Sequence, residues 1–94
     1  MGKGFVIMRT KMEAIVKSNL RTLALRTRAR RALTQEQMAE ALSMSVRSYI
    51  DIEAGVSMCG TLTALLLLME QEAPASLLSE LRGQLRSLYE EVAV

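Results

Sequence analysis

The chain has 94 residues, twelve Lys/Arg against ten Asp/Glu for a net charge of +2, and half of its residues are hydrophobic. Only three aromatics (Phe5, Tyr49, Tyr89), one Pro and five Gly are present, which argues against a β-rich or disordered chain and for one domain with a core of Leu, Ile, Met and Ala. There is no histidine and a single cysteine, Cys59, so the commonest general base, the commonest metal ligand, an internal disulfide and any zinc-type cluster are missing; no enzyme activity, no metal and no cofactor are expected.

The charge is unevenly placed. Residues 1–34 hold nine Lys/Arg against Glu13 alone, and residues 35–94 hold three Lys/Arg against nine acids. The basic half suits phosphate. The apolar run at 65–69 is far shorter than the ~20 residues a bilayer requires. No secretory signal is evident, so a reducing cytoplasm is the expected setting and no membrane partner is expected.

Residues 1–12 open with two glycines and a short apolar run, and read as a flexible arm, with an extra edge strand or a translated leader as alternatives. Residues 13–31 read as a helix, because Ile15, Val16, Leu20, Leu23, Ala24 and Thr27 recur at helical steps without Gly or Pro. Arg26, Arg28, Arg30 and Arg31 crowd its end. They suit the negative end of a helix dipole, and some of them also suit DNA phosphates.

The stretch 34–55, TQEQMAEALSMSVRSYIDIEAG, reads as two short helices joined by a tight turn. Thr34 with Gln37 has capping-box form. Met38, Ala39 and Leu42 mark one face of the first helix. Ser45 is a second N-cap, with Met44 placed to pack beneath it. Tyr49, Ile52 and Glu53 share the inward face of the second helix, and Gly55 supplies the left-handed residue that ends it. Such a pair is a helix-turn-helix unit.

The residues Thr34-Gln35, Met38-Ala39, Leu42, Ser45, Tyr49 and Ile52-Glu53-x-Gly55 resemble the DNA-binding domain of the Cro/C1-type, or Xre, repressor family. The resemblance covers residues 20–70. It implies that Arg28 pairs with Glu53 and ties the first helix to the third. It also implies that the second helix of the unit enters the major groove, where Val46, Arg47 and Asp51 read base edges. Arg47 suits guanine O6 and N7, and Val46 a thymine methyl. Asp51 suits a cytosine amine, a pair with Arg47, or plain solvation. Thr34, Gln35, Ser45 and Ser48 are the expected phosphate contacts, at the two helix N-termini.

The loop 56–60 lacks the basic residues that often sit there in that family. Cys59 reads as a small loop or core residue. Thr61 is the expected cap of a fourth helix, 62–71, with Leu62, Leu65, Leu66 and Met69 on one broad apolar face and Leu67 and Leu68 extending it. Pro74 opens a fifth helix, 75–92. Its Leu78, Leu81, Leu85, Leu88 and Val92 recur as a heptad seam of just over two heptads, read as a dimer interface or as a face packed on the fourth helix.

The expected fold is all-α, a compact five-helix domain of phage-repressor (lambda repressor-like) type. Residues 1–12 form the arm, 13–71 the helix-turn-helix domain and 72–94 a C-terminal dimerisation helix. The expected function is that of a sequence-specific DNA-binding transcriptional regulator, a repressor that reads an inverted repeat in double-stranded DNA as a homodimer. The alternatives are a protein-interaction module that kept the fold, with a protein partner, or the antitoxin or controller of a small operon. The low basic content after residue 34, the non-basic loop at 56–60 and the outward position expected for Ile50 favour a protein surface.

Overall fold

The computed structural model describes residues 2–93, and the side chains of residues 8–90. Five helices follow one another: α1 Gly2–Arg31, α2 Gln35–Ala41, α3 Val46–Glu53, α4 Thr61–Met69 and α5 Pro74–Ala93. The fold is all-α, and no strand occurs among the described residues.

The first difference from expectation is at the start. Residues 2–12 continue α1 in place of a flexible arm, which makes one helix of 30 residues. Both early glycines lie in its first turn, and the 26 residues from position 6 to 31 hold no Gly or Pro. Arg9 and Glu13, one helical turn apart, pair at 3.2 Å on its exposed face.

Three helix ends share one device. After α1, Leu33 N–H donates to Arg28 C=O and Ala32 N–H to Ala29 C=O. After α2, Met44 donates to Ala39 and Ser43 to Glu40; after α3, Val56 donates to Asp51 and Gly55 to Ile52. Each is a Schellman pair of bonds around one left-handed residue. Those residues are Ala32 (φ 53°), Ser43 (φ 56°) and Gly55 (φ 75°). Only the third is glycine, so two of the three turns hold a Cβ in a conformation that disfavours it.

The N-terminal caps of α2 and α3 follow the sequence. Gln37 N–H donates to Thr34 Oγ1 at 3.1 Å and Thr34 N–H donates to Gln37 Oε1 at 2.9 Å, a complete capping box. Ser48 N–H donates to Ser45 Oγ at 3.1 Å. The fourth helix differs: Gly60, not Thr61, is its N-cap, and no side chain caps it. Thr61 is already the first helical residue, so its hydroxyl is a position too late to cap.

The core lies where α1 meets α2, α3 and α4. Leu20, Leu23 and Ala24 of α1, Met38, Ala39 and Leu42 of α2 and its end, Tyr49 and Ile52 of α3, and Leu67 of α4 form it. Met44 packs against its edge. Thr27 is fully buried, and its hydroxyl accepts from Gln71 Nε2 at 2.8 Å. On α4 the buried side is that of Leu67, whereas Leu62, Leu65 and Met69 face outward. The helix is apolar all round, so periodicity could not select which side packs.

The α5 helix lies along α1, with which it shares more contacts than with any other element. Asn19 Nδ2 donates to Gln84 Oε1 at 3.0 Å across that junction. Of the heptad seam, Leu88 is buried, Leu81 and Leu85 are half-buried, and Leu78 is exposed within the single chain. Val92 lies outside the described side chains. The seam therefore meets α1 of its own chain, a neighbour neither sequence reading named.

Ala32→Gly and Ser43→Gly should each raise stability by about 0.5–1 kcal/mol, because the left-handed strain goes. Gly55→Ala should lower it by about 1 kcal/mol, since a Cβ there would also meet Arg21 Cδ at 3.3 Å. The urea midpoint at constant slope reads all three.

Candidate functional site

The site is built on α3, and α3 is held by one carboxylate. Glu53 is buried in the last turn of α3, facing α1. Arg28 Nε donates to its Oε2 at 2.6 Å and Arg28 Nη2 to its Oε1 at 3.1 Å, a two-pronged pair. Gln35 Nε2 donates to Oε1 at 3.0 Å, and the Tyr49 hydroxyl donates to Oε2. Arg28 Nη1 also donates to Leu33 C=O at 3.3 Å, beside the turn that ends α1. One acid thus joins α1, α2 and α3. The Arg28–Glu53 pair is where the resemblance placed it; the Gln35 and Tyr49 donors complete it.

Burial pushes the Glu53 carboxyl up, but hydrogen bonds from Arg28, Tyr49 and Gln35 and the Arg28 charge outweigh that and hold it below the usual carboxylate range. The hydrogen bond with Glu53 pushes Arg28 up. Burial first, and then the hydrogen bond to Glu53, push the Tyr49 phenol up, so it stays a donor. A second cation closes the arrangement: Arg21 Nε donates to the Glu53 carbonyl at 2.9 Å, at the negative end of α3.

With Tyr49, Ile52 and Glu53 turned inward, the opposite side of α3 is open. The Arg47 side chain is 83% accessible, and its Nε stands 3.8 Å from Asp51 Oδ1. Of the three readings of Asp51, the geometry thus gives a loose pair with Arg47. Val46 and Ser48 are exposed beside them, and Ser45 Oγ donates to Ser48 Oγ at 2.8 Å. Ile50, expected outward, is half-buried, as is Asp51, which weakens one of the three features that favour a protein surface.

The expected phosphate contacts split. The Thr34 and Ser45 hydroxyls accept from their own helix N-termini, and both residues are exposed. Gln35 is half-buried and donates its amide to Glu53. It serves the internal network, which sequence spacing gave no means of seeing. Two of the arginines at the end of α1 have partners within the chain, although both remain exposed. Arg30 donates to the Glu70 carbonyl, and Arg30 and Arg31 stand 3.6 and 3.7 Å from the Glu70 carboxylate. Together they close the C-terminal end of α4.

A separate apolar cleft of about 260 Å³ lies between α1, α4 and α5, lined by Val16, Leu20, Leu68, Leu77 and Leu81 among others. Cys59 borders it, and burial pushes its thiol up, which keeps it protonated. Among the described residues no group of His, Cys, Asp and Glu is placed to hold a metal ion. Nor is any helix among them long and apolar enough to cross a membrane.

Comparison with known family models, with curated proteins and with solved structures gives no match for this chain. The functional reading therefore rests on the geometry of α2 and α3.

Removing Arg28 strands a carboxylate that is 7% exposed, but the Arg28 side chain is itself 30% exposed, so water can partly replace it. Arg28→Ala should cost about 3 kcal/mol, the lower end for a buried pair, seen as a melting temperature lower by roughly 15 °C. Because the Glu53 pKa is depressed on folding, its contribution is complete above the unfolded pKa and is lost as pH falls through the folded value. Thermal melts from neutral pH down into the acid range should show wild-type stability dropping below about pH 4.5 more steeply than that of Glu53→Gln.

Proposed function

We propose that this chain is a sequence-specific, double-stranded-DNA-binding transcriptional regulator of Cro/C1 type, a repressor that acts in the cytoplasm as a homodimer on an inverted repeat. The observation that carries the reading is the posture of α3. Its inner side is fixed to α1 and α2 through Glu53, while Val46, Arg47 and Ser48 stand exposed on the other, with Asp51 half-buried beside Arg47.

The chemistry fits that role. A helix of eight residues behind an N-cap presents its first turns to a major groove about 12 Å wide. The guanidinium of Arg47 has the fork that matches guanine O6 and N7. Asp51, one turn on, limits the angles it samples, which lowers the ordering cost of a two-pronged contact. The N-termini of α2 and α3 offer backbone N–H groups to phosphate oxygens on either side, with Thr34, Ser45 and Ser48 beside them.

One half-site read mainly by one arginine discriminates by only ~1–3 kcal/mol per good contact. Two half-sites about 34 Å apart double that, which is why the reading requires two copies. The loop at 56–60 brings no basic residue, so the backbone grip falls on the two helix N-termini and on exposed cations of α1 such as Arg26.

Selection of the purified chain against random duplexes, with affinity followed across salt, tests this. An enriched inverted repeat and a steep inverse salt dependence are expected. Arg47→Ala should weaken the selected site by roughly tenfold to a hundredfold and relax one position in each half-site. Weak binding that any duplex competes away would reject the reading in favour of a protein-interaction module.

A further inference from the structure

The α4 helix, TLTALLLLM, contains no charged residue, yet only one of its sides is covered. Leu67 is fully buried. At steps of three and four residues on the opposite side stand Leu62, Leu65 and Met69, which are 69%, 52% and 77% exposed. Val56 and Met58, in the segment leading to α4, are exposed as well. A helix apolar on both sides, with one side open to water, needs a second cover.

We infer that this stripe pairs with the same stripe of a second copy of the chain, the two α4 helices running antiparallel about a two-fold axis at Leu65. The stripe is its own complement in that arrangement. Leu65 meets its counterpart at the axis, and Leu62 of each copy lies across from Met69 of the other.

The two ends of α4 also match. Its N-terminus has Gly60 as N-cap and no side-chain acceptor for its first N–H groups. Just beyond its C-terminus stands Glu72, an exposed carboxylate. Antiparallel pairing carries each Glu72 towards the uncapped, positive end of the opposite α4. A partner of other chemistry gains apolar cover alone, whereas a second copy satisfies both ends at once. The α5 seam offers less: Leu88 is buried and Leu81 and Leu85 are half-buried against the chain's own helices. The inference depends on the proposed function only in that the function requires a dimer; the surface is argued from α4 itself.

Sedimentation of the full chain from roughly 1 to 200 μM tests it, a range in which a modest interface dissociates. Wild type should pass from monomer to dimer. Leu65→Glu places two carboxylates at the axis and should weaken the dimer at least about a hundredfold, with unchanged helix content because Leu65 is exposed. Leu78→Glu on α5 should leave the dimer intact, and Glu72→Lys should weaken it about tenfold. In a Cys59→Ser background, Leu65→Cys should form a disulfide-linked dimer on oxidation, and Glu36→Cys should not; this decides the matter even if Leu65→Glu folds poorly.

A monomer at every concentration, or a monomer that sediments with neutral phospholipid vesicles, overturns the inference. A dimer insensitive to Leu65→Glu but broken by Leu78→Glu does so as well. If the chain dimerises through Leu65 but selects no duplex, the DNA reading fails and this surface stands. An inverted repeat selected by a dimer that Leu65→Glu leaves intact gives the converse.

Discussion

Everything on the exposed side of α3 depends on the carboxylate of Glu53. Its two oxygens accept from Arg28, Gln35 and Tyr49, which come from α1, α2 and α3 itself. A short helix of eight residues has little stability of its own, since isolated helices below about 12–15 residues are marginal in water. Apolar packing of Tyr49 and Ile52 supplies most of its anchoring but is tolerant of direction. The charged hydrogen bonds are not: a guanidinium fork and a carboxylate meet in one plane, so they set the rotation of α3 about its own axis. That rotation decides which side chains face out.

The rest of the fold arranges charge in the same manner. Arg21 meets the carbonyl end of α3, and Arg30 and Arg31 meet the carbonyl end of α4. Long α1 is therefore a rod from which three cations hold the ends of neighbouring helices. Much of the basic excess in the first third of the chain has this internal purpose.

What was legible in the sequence was local. The capping box at Thr34 and Gln37, the Ser45 cap and the turn at Gly55 involve residues within a few positions of each other, and their chemistry is fixed by spacing. Left-handed Ala32 and Ser43 carried no such mark, because neither residue favours that conformation. The two glycines at the start of α1 argue against helix, whereas the Arg9–Glu13 spacing is a sign of it. Gln35 sits at a helix N-terminus, where spacing suggests a phosphate contact, and only the approach of α1 shows that its amide has a buried acceptor. On α4, six consecutive apolar or near-apolar positions hide direction altogether. On α5 the heptad pattern marks an apolar seam but does not say which helix it meets; α1, which starts at Gly2 and not at residue 13, is long enough to take it.

Arg28 and Glu53 are energetically coupled and so fix α3. A double-mutant cycle on Arg28→Met and Glu53→Leu, read by urea unfolding, measures this directly. Each single change should cost more than the pair together, with a coupling energy of about 2 kcal/mol or more. Additive costs, with a coupling within about 0.5 kcal/mol of zero, would mean that apolar packing alone sets α3.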